Sequence, residues 1–336
     1  MKKIIFLLCF IVSFTSFSQI SIGPTHIGKP KKFKNGEFEK FKKTTTLFVL
    51  PNTIQKNEYQ EILEKSWTVT PYEIVDHNEF NIENYINGKY SIADLKTILH
   101  LSRSGGYSLH VFFDIRIFDD EEISEKSKKV SSKKWEKNKI EIILKNSSNI
   151  ARFYINPRSK FYEEVLDIGI NEIPGSKFND EYFFNYKSGY LKNYFQKVND
   201  LLEAEKLYWM YADDYLPALN SLSNKILYVP SYMDEDYNIL AGKNGDSEEE
   251  IFKDLFKEYQ FKYEIIENHA LNKMILEGKD IYYLRFVKVN TPRFLQIINA
   301  QSGEIIYRNY IHGNSHKIKS KHIDRLNETI TNTSSE

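Results

Sequence analysis

Apolar and polar positions run through the same succession of patterns twice. Leu47-Phe48-Val49-Leu50, stopped by Pro51, and Leu227-Tyr228-Val229, stopped by Pro230, are unbroken apolar runs that predict buried strands. A helical rhythm follows each. Glu58–Trp67 puts Tyr59, Ile62, Leu63 and Trp67 on one face, and Glu250–Tyr259 does the same with Ile251, Leu255, Phe256 and Tyr259. In the second copy Asp246-Ser247 followed by Glu248-Glu249-Glu250 offers a cap and an acidic first turn, which the helix dipole favours. The clearest match comes next: Tyr72-Glu73-Ile74-Val75-Asp76 against Tyr263-Glu264-Ile265-Ile266-Glu267. Ile86-Asn87-Gly88-Lys89 then matches Leu276-Glu277-Gly278-Lys279 at nearly the same distance downstream.

Both copies end in alternation. Tyr107–Phe118 places Tyr107, Leu109, Val111, Phe113, Ile115 and Ile117 on one face. Ile281–Val289 reads as its counterpart, with Tyr283, Arg285, Val287 and Val289 on one face and Tyr282, Leu284, Phe286 and Lys288 on the other. Each is followed by a predicted hairpin: Ile142-Ile143 and Ile150 around Asn146-Ser147-Ser148-Asn149, and Ile297-Ile298 and Ile305-Ile306 around Gln301-Ser302-Gly303-Glu304.

The expected fold class is therefore α/β (α+β), with two tandem pseudo-repeated units. Each is a mixed sheet with helices, β-α-β-α-β plus a C-terminal hairpin. Helical crossovers make the early strands parallel, and the last three form an antiparallel meander. The first unit spans 44–156, with Ser91–Gly106 read as an insertion, and the second spans 225–310. An aromatic helical linker, 157–224, joins them, and its Leu191, Phe195, Val198, Leu202 and Tyr208 predict a helix packed between the sheets. A leader over 19–43 is expected to be flexible, Asp119–Lys139 to be a solvated charged loop and the polar tail 311–336 to be disordered.

The first residues read as an address. Met1-Lys2-Lys3 precedes an apolar run from Ile4 to Phe14, and Ser16-Phe17-Ser18 supplies small residues at a cleavage point before Gln19. This is a secretory signal-peptide pattern over 1–18, too short for a membrane span of about 20 residues. The expected product is periplasmic or secreted, with no membrane span after cleavage. Only one cysteine, Cys9, is present, and it lies in the signal segment, so disulfide scaffolds, thiolate metal sites and cysteine catalysis are excluded from the mature chain. The 46 basic residues balance the 46 acidic ones, and loss of Lys2 and Lys3 leaves a net charge of −2. No nucleic-acid partner is expected from that balance.

The second copy resembles a known pattern. A strand ended by Pro, a helix, Tyr263-Glu264-Ile265-Ile266-Glu267-Asn268 followed by Leu271 and Met274, and Ala300-Gln301-Ser302-Gly303-Glu304-Ile305-Ile306 are similar to the α/β modules of the curli-secretion pore lipoproteins and of the TolB amino-terminal domain. The resemblance covers roughly 225–310 and, more faintly, 44–156. It implies a non-catalytic envelope module that binds an envelope-protein partner. The acylated Cys of the pore lipoproteins is missing, which argues against pore formation, and the first copy has Ser148-Asn149 where the hairpin Gly-Glu would stand.

No catalytic, cofactor-binding or metal-binding pattern rises above background. His312 and His316 are four apart but separated by Gly313 and Asn314. His77 and His269 both follow the repeated Tyr-Glu-Ile segments and read as strand-end positions. Asp213-Asp214 would point apart on a helix. Ser104-Gly105-Gly106 is not followed by a helix and fails the phosphate-loop test. One polar stripe remains, His110, Asp114 and Arg116, on one face of the strand Tyr107–Phe118. The leading expectation is a non-catalytic, exported binding or assembly protein of undetermined oligomeric state. The alternative is a secreted hydrolase, which requires His110, Asp114, Arg116 and Asp213 to converge in one pocket.

Overall fold

The repeated Tyr-Glu-Ile segments are the outermost strands of two sheets wound alike. The computed structural model describes residues 19–26, 29–34, 36–101, 107–168, 178–211, 213–234, 248–289, 292–311 and 318–333. The first sheet contains β1 (Ile20–Ile22), β2 (Thr45–Leu50), β3 (Tyr72–Asp76), β4 (Tyr90–Leu101), β5 (Tyr107–Phe118) and β6 (Ser147–Tyr154), in the order β1-β6-β5-β4-β2-β3. The second contains β7 (Asp214–Tyr215), β8 (Leu227–Pro230), β9 (Tyr263–Ile266), β10 (Tyr282–Lys288), β11 (Arg293–Asn299) and β12 (Ile305–Ile311), in the order β7-β12-β11-β10-β8-β9. Strand for strand, order and direction agree: β3-β2-β4 and β9-β8-β10 are parallel, and the rest of each sheet is antiparallel.

Register extends the agreement to single residues. Tyr72 pairs with Thr46 and Tyr263 with Leu227; Thr46 pairs with Ser91 and Leu227 with Tyr282. Counting from there, Asp94 corresponds to Arg285, Asp114 to Gln296 and Arg152 to Arg308. The same step in register falls after Ile115 in the first sheet and after Ile297 in the second, which are equivalent positions. A bulge is a specific, inherited feature of a strand pair, so its recurrence at the same place supports duplication. The aromatic pair Phe112 and Tyr154 (ring centroids 5.8 Å apart) likewise recurs as Phe294 and Tyr310 (5.7 Å).

The helices are α1 (Glu37–Lys42), α2 (Lys56–Ser66), α3 (Asp120–Lys128), α4 (Ser132–Lys145), α5 (Ser159–Ile168), α6 (Ser188–Glu203), α7 (Glu248–Leu255), α8 (Asn268–Leu276) and α9 (Ser320–Thr333). The central one is α6. Phe195 on it packs edge-on to Phe48 and Phe113 of the first sheet, and Tyr194 stacks on Phe153 at 4.4 Å. On its other side Tyr190 meets Tyr283 of the second sheet, and α2 and α8 flank it. One apolar cluster therefore runs from Phe48, Tyr59 and Phe113 through Tyr190, Leu191 and Phe195 to Leu271, Ile275, Tyr283 and Ile298. A second lies on the far face of the second sheet, where Phe252 and Leu255 of α7, Phe256 just after it, and Ile323, Leu326 and Ile330 of α9 cover Leu284, Leu295 and Ile297.

Several expectations are corrected. Tyr107–Phe118 corresponds to β11, not to Ile281–Val289; the true counterpart of β10 is β4, so Ser91–Gly106 contains a sheet strand and is not a plain insertion. Ile142 and Ile143 lie in α4, and the first copy's last two strands are separated by α3 and α4 instead of a tight hairpin. Asp119–Lys139 forms these helices: Asp119 and Ser131 cap them, and Ile123 and Ile143 are buried. The leader folds, with Ile20 and Ile22 buried in β1 and Phe38 and Phe41 buried from α1. The tail folds as well, because Ile323, Leu326 and Ile330 give its polar sequence one apolar stripe. The expected signal segment 1–18, the loop Ser104–Gly106, His312 and His316 lie outside the described residues.

Candidate functional site

Alternation puts one polar residue from each of four strands into a row across each sheet, on the face opposite α2 or α7. In the first sheet the row is Ser21, Arg152, Asp114 and Asp94. Asp114 is fully buried. Its Oδ1 accepts from Arg152 Nε at 2.9 Å and its Oδ2 from Arg152 Nη2 at 3.0 Å, a two-pronged pair, and Arg116 Nε donates to Oδ2 as well. The Arg152 guanidinium also lies over the Phe112 ring, 3.7 Å from its centroid, and Arg116 reaches Ser147 Oγ at 3.2 Å. His26 closes the cluster from the chain that follows β1, with Nε2 4.0 Å from Asp114 Oδ1, too far for a hydrogen bond. Lys96 pairs with Asp94 at 3.3 Å.

Burial works against every charge here, and the partners decide which survive. Burial would raise the Asp114 carboxyl, but the charges of Arg152 and Arg116 outweigh it and hold the group well below the carboxylate range. Asp94 goes the other way: burial raises it, and nearby Asp114 adds to the effect against Lys96 and Arg116. Burial and the Arg152 charge press the His26 imidazole down to about 3, so it is neutral.

The expected stripe is thus only partly one site. Asp114 and Arg116 are joined. His110 lies further along the same strand, its ring 6.2 Å from that of Tyr154. Asp213 belongs to the second unit, where it accepts from Asn309 Nδ2 and the Tyr310 amide and pairs with Arg325 at 2.9 Å. Asp214 lies in β7 and pairs with Arg308, so the two carboxylates do part, although on a strand and not a helix. His77 sits in the turn after β3 and His269 in the first turn of α8. Arg152, His26, Asp94 and Lys96 went unnoticed in the sequence. The one available signal was the shared Ile-x-Arg of Ile150-Ala151-Arg152 and Ile306-Tyr307-Arg308, masked by the misplaced hairpin.

A carboxylate saturated by two guanidinia and closed to solvent has no lone pair aimed at a substrate and no proton to give near neutral pH. Its chemistry is structural: it ties β5 to β6 under the chain after β1. A cavity of about 290 Å³ lies nearby between α1 and the start of α3, lined by Glu37, Lys40, Asp119, Asp120 and Ser148. Lys40 Nζ donates there to Phe118 O and Asp120 Oδ1 at 2.8 and 2.9 Å. Among the described residues, no three His, Cys, Asp or Glu side chains gather as metal ligands. No known family model and no curated protein matches this chain.

Proposed function

We propose that this chain is an exported, non-catalytic cell-envelope protein that binds or assembles with another envelope component through a sheet edge. The observation that carries the reading is β9. It is the outermost strand of the second sheet, and its Tyr263 and Ile265 are 36 % and 40 % exposed. An open edge with exposed apolar side chains is a template for an added strand: main-chain bonds give affinity and alternate side chains give selectivity. The resemblance to envelope modules and the signal-peptide pattern agree with it. Gln19, the expected first residue of the mature chain, is already part of the fold: its side chain bonds to Tyr154 O and accepts from Tyr194 Oη at 3.0 Å. Among the described residues no helix is long and apolar enough to cross a membrane.

The test is to express the full chain in a Gram-negative host with a photo-crosslinking residue at Tyr263. The expected outcome is export, an amino terminus at Gln19 and one recurrent envelope adduct that Ile265→Lys abolishes. Retention of Met1–Ser18 on a cytoplasmic product, or the same adducts with Ile265→Lys, overturns the reading. The hydrolase alternative has one observation in its favour, a raised Asp94 carboxyl across the strand pair from an ionised Asp114. Hydrolysis of a substrate panel that Asp94→Asn abolishes would favour it.

A further inference from the structure

The equivalent row of the second unit has lost its balancing charge. It consists of Asp214, Arg308, Gln296 and Arg285, so neutral Gln296 occupies the place of Asp114 and a guanidinium the place of Asp94. Arg308, the counterpart of Arg152, turns to Asp214 on the edge strand at 3.3 Å. Among the described residues, Arg285 is left with neutral neighbours. Its Nε and Nη2 donate to Gln296 Oε1 at 3.0 and 2.8 Å, its guanidinium lies 4.2 Å from the centre of the Tyr194 ring, and the Tyr283 hydroxyl adjoins it. Arg285 is 1 % exposed and Gln296 fully buried. Arg285 Nη1 and Gln296 Nε2, both donors, find no acceptor among the described residues. A buried guanidinium without an anion is costly, and its cost is ordinarily met by a counter-charge with acceptor capacity.

We propose that a small inorganic anion, a halide, binds in the second unit at Arg285 and Gln296. It supplies from solution the negative charge that Asp114 supplies in the first unit. The two residues stand on one face of neighbouring strands, Arg285 opposite Gln296, on the side where Tyr190 of α6 meets Tyr283. Their burial selects for a monatomic ion over phosphate or a carboxylate ligand. The inference is independent of the edge-strand reading, because it concerns the face between the units.

Two measurements on the full mature chain test it. In crystals grown with sodium bromide, an anomalous peak is expected within hydrogen-bond distance of Arg285 Nη1 or Gln296 Nε2. In solution, replacing sodium gluconate by sodium chloride at equal ionic strength should raise the melting temperature by about 2–4 °C, as a ligand specific to the native state does. Gln296→Glu, which restores a carboxylate of nearly the same shape, should lose this chloride increment. A bromide-free Arg285, equal melting in chloride and gluconate, a Gln296→Glu protein that keeps the increment, or stabilisation by phosphate but not by halide would each overturn the proposal.

Discussion

His26 shows how one buried side chain can set the acid limit of the fold. Among the described residues its two buried ring nitrogens have no well-formed hydrogen bond, although the Asn149 side chain lies close to the ring, and two of the three ionised groups around it are cations. In the unfolded chain it titrates near 6.5; folded, near 3. Below pH 6.5 the unfolded state therefore takes up a proton that the native state refuses. The contribution of His26 to stability is complete above that value and is lost as pH falls towards 3. His322, lowered to about 4 by burial and by Arg293, has the same sign. Asp114 joins only below its unfolded value of 3.8, and Asp94, whose carboxyl is raised, works in the opposite direction. Between pH 7.5 and 5.0 His26 should remove about 2 kcal/mol, and His322 less. Urea unfolding at the two pH values measures this, and His26→Asn should abolish its share. An unchanged pH slope in that variant would refute the neutral, buried imidazole.

At the level of elements, legibility in the sequence followed apolar continuity. β2, β8 and α2 were read nearly at their observed limits because an unbroken run or a one-sided stripe admits one explanation, whereas the stripe read over Glu250–Tyr259 ran past the end of α7 at Leu255 into a turn whose Phe256 and Tyr259 are buried as well. The polar elements failed for a shared reason. α3 and α4 bury one side chain each, and in α9 the buried aliphatic residues Ile323, Leu326 and Ile330 stand among polar ones, so the polar positions outweighed the stripe. Reading α3 and α4 as loop and hairpin displaced the repeat by one strand, and with it the match of Arg152 to Arg308. The contact of α6 with α8 was also out of reach, since no pattern announces it. There Gly189 donates its amide to Asn272 Oδ1 at 2.8 Å, and a Cβ at this position would stand 2.5 Å from Asn272 O. Helix propensity alone says that Gly189→Ala stabilises α6 by about 1 kcal/mol. The steric argument says that α8 must move, at about 1–3 kcal/mol, the usual range for overpacking. The signs differ, so a denaturation midpoint decides. We expect destabilisation, and a more stable variant would mean that the two helices do not meet so closely.

Across the whole molecule, the two units share an interior without being used alike. The first sheet turns its apolar face to α6, whereas the second turns its polar row to the same helix, with Arg285 against Tyr194. Equivalent surfaces thus meet different partners, and the copies have diverged where they do so: Asp114 to Gln296, Asp94 to Arg285, and a tight turn at Gly303 where the first copy has α3 and α4. Gly303 itself has φ +73°, and a Cβ on it would lie 2.8 Å from Asn193 O of α6, so even this turn is fitted to the shared helix. Polar contacts lock the same interface: Asn193 Nδ2 donates to Ala300 O at 2.9 Å, and Tyr190 Oη to Asn268 Oδ1 at 2.6 Å. Two autonomous domains would melt separately, but here neither sheet can shed α6 without exposing the core of the other. Calorimetry should give a single transition whose calorimetric and van't Hoff enthalpies agree, uncommon behaviour for a chain of this length. The segment 225–310 expressed alone would leave Leu271, Ile275, Tyr283 and Ile298 uncovered, and should show no cooperative melting. Two resolved transitions, or a stably folded isolated segment, would mean that α6 belongs to one unit and merely rests on the other.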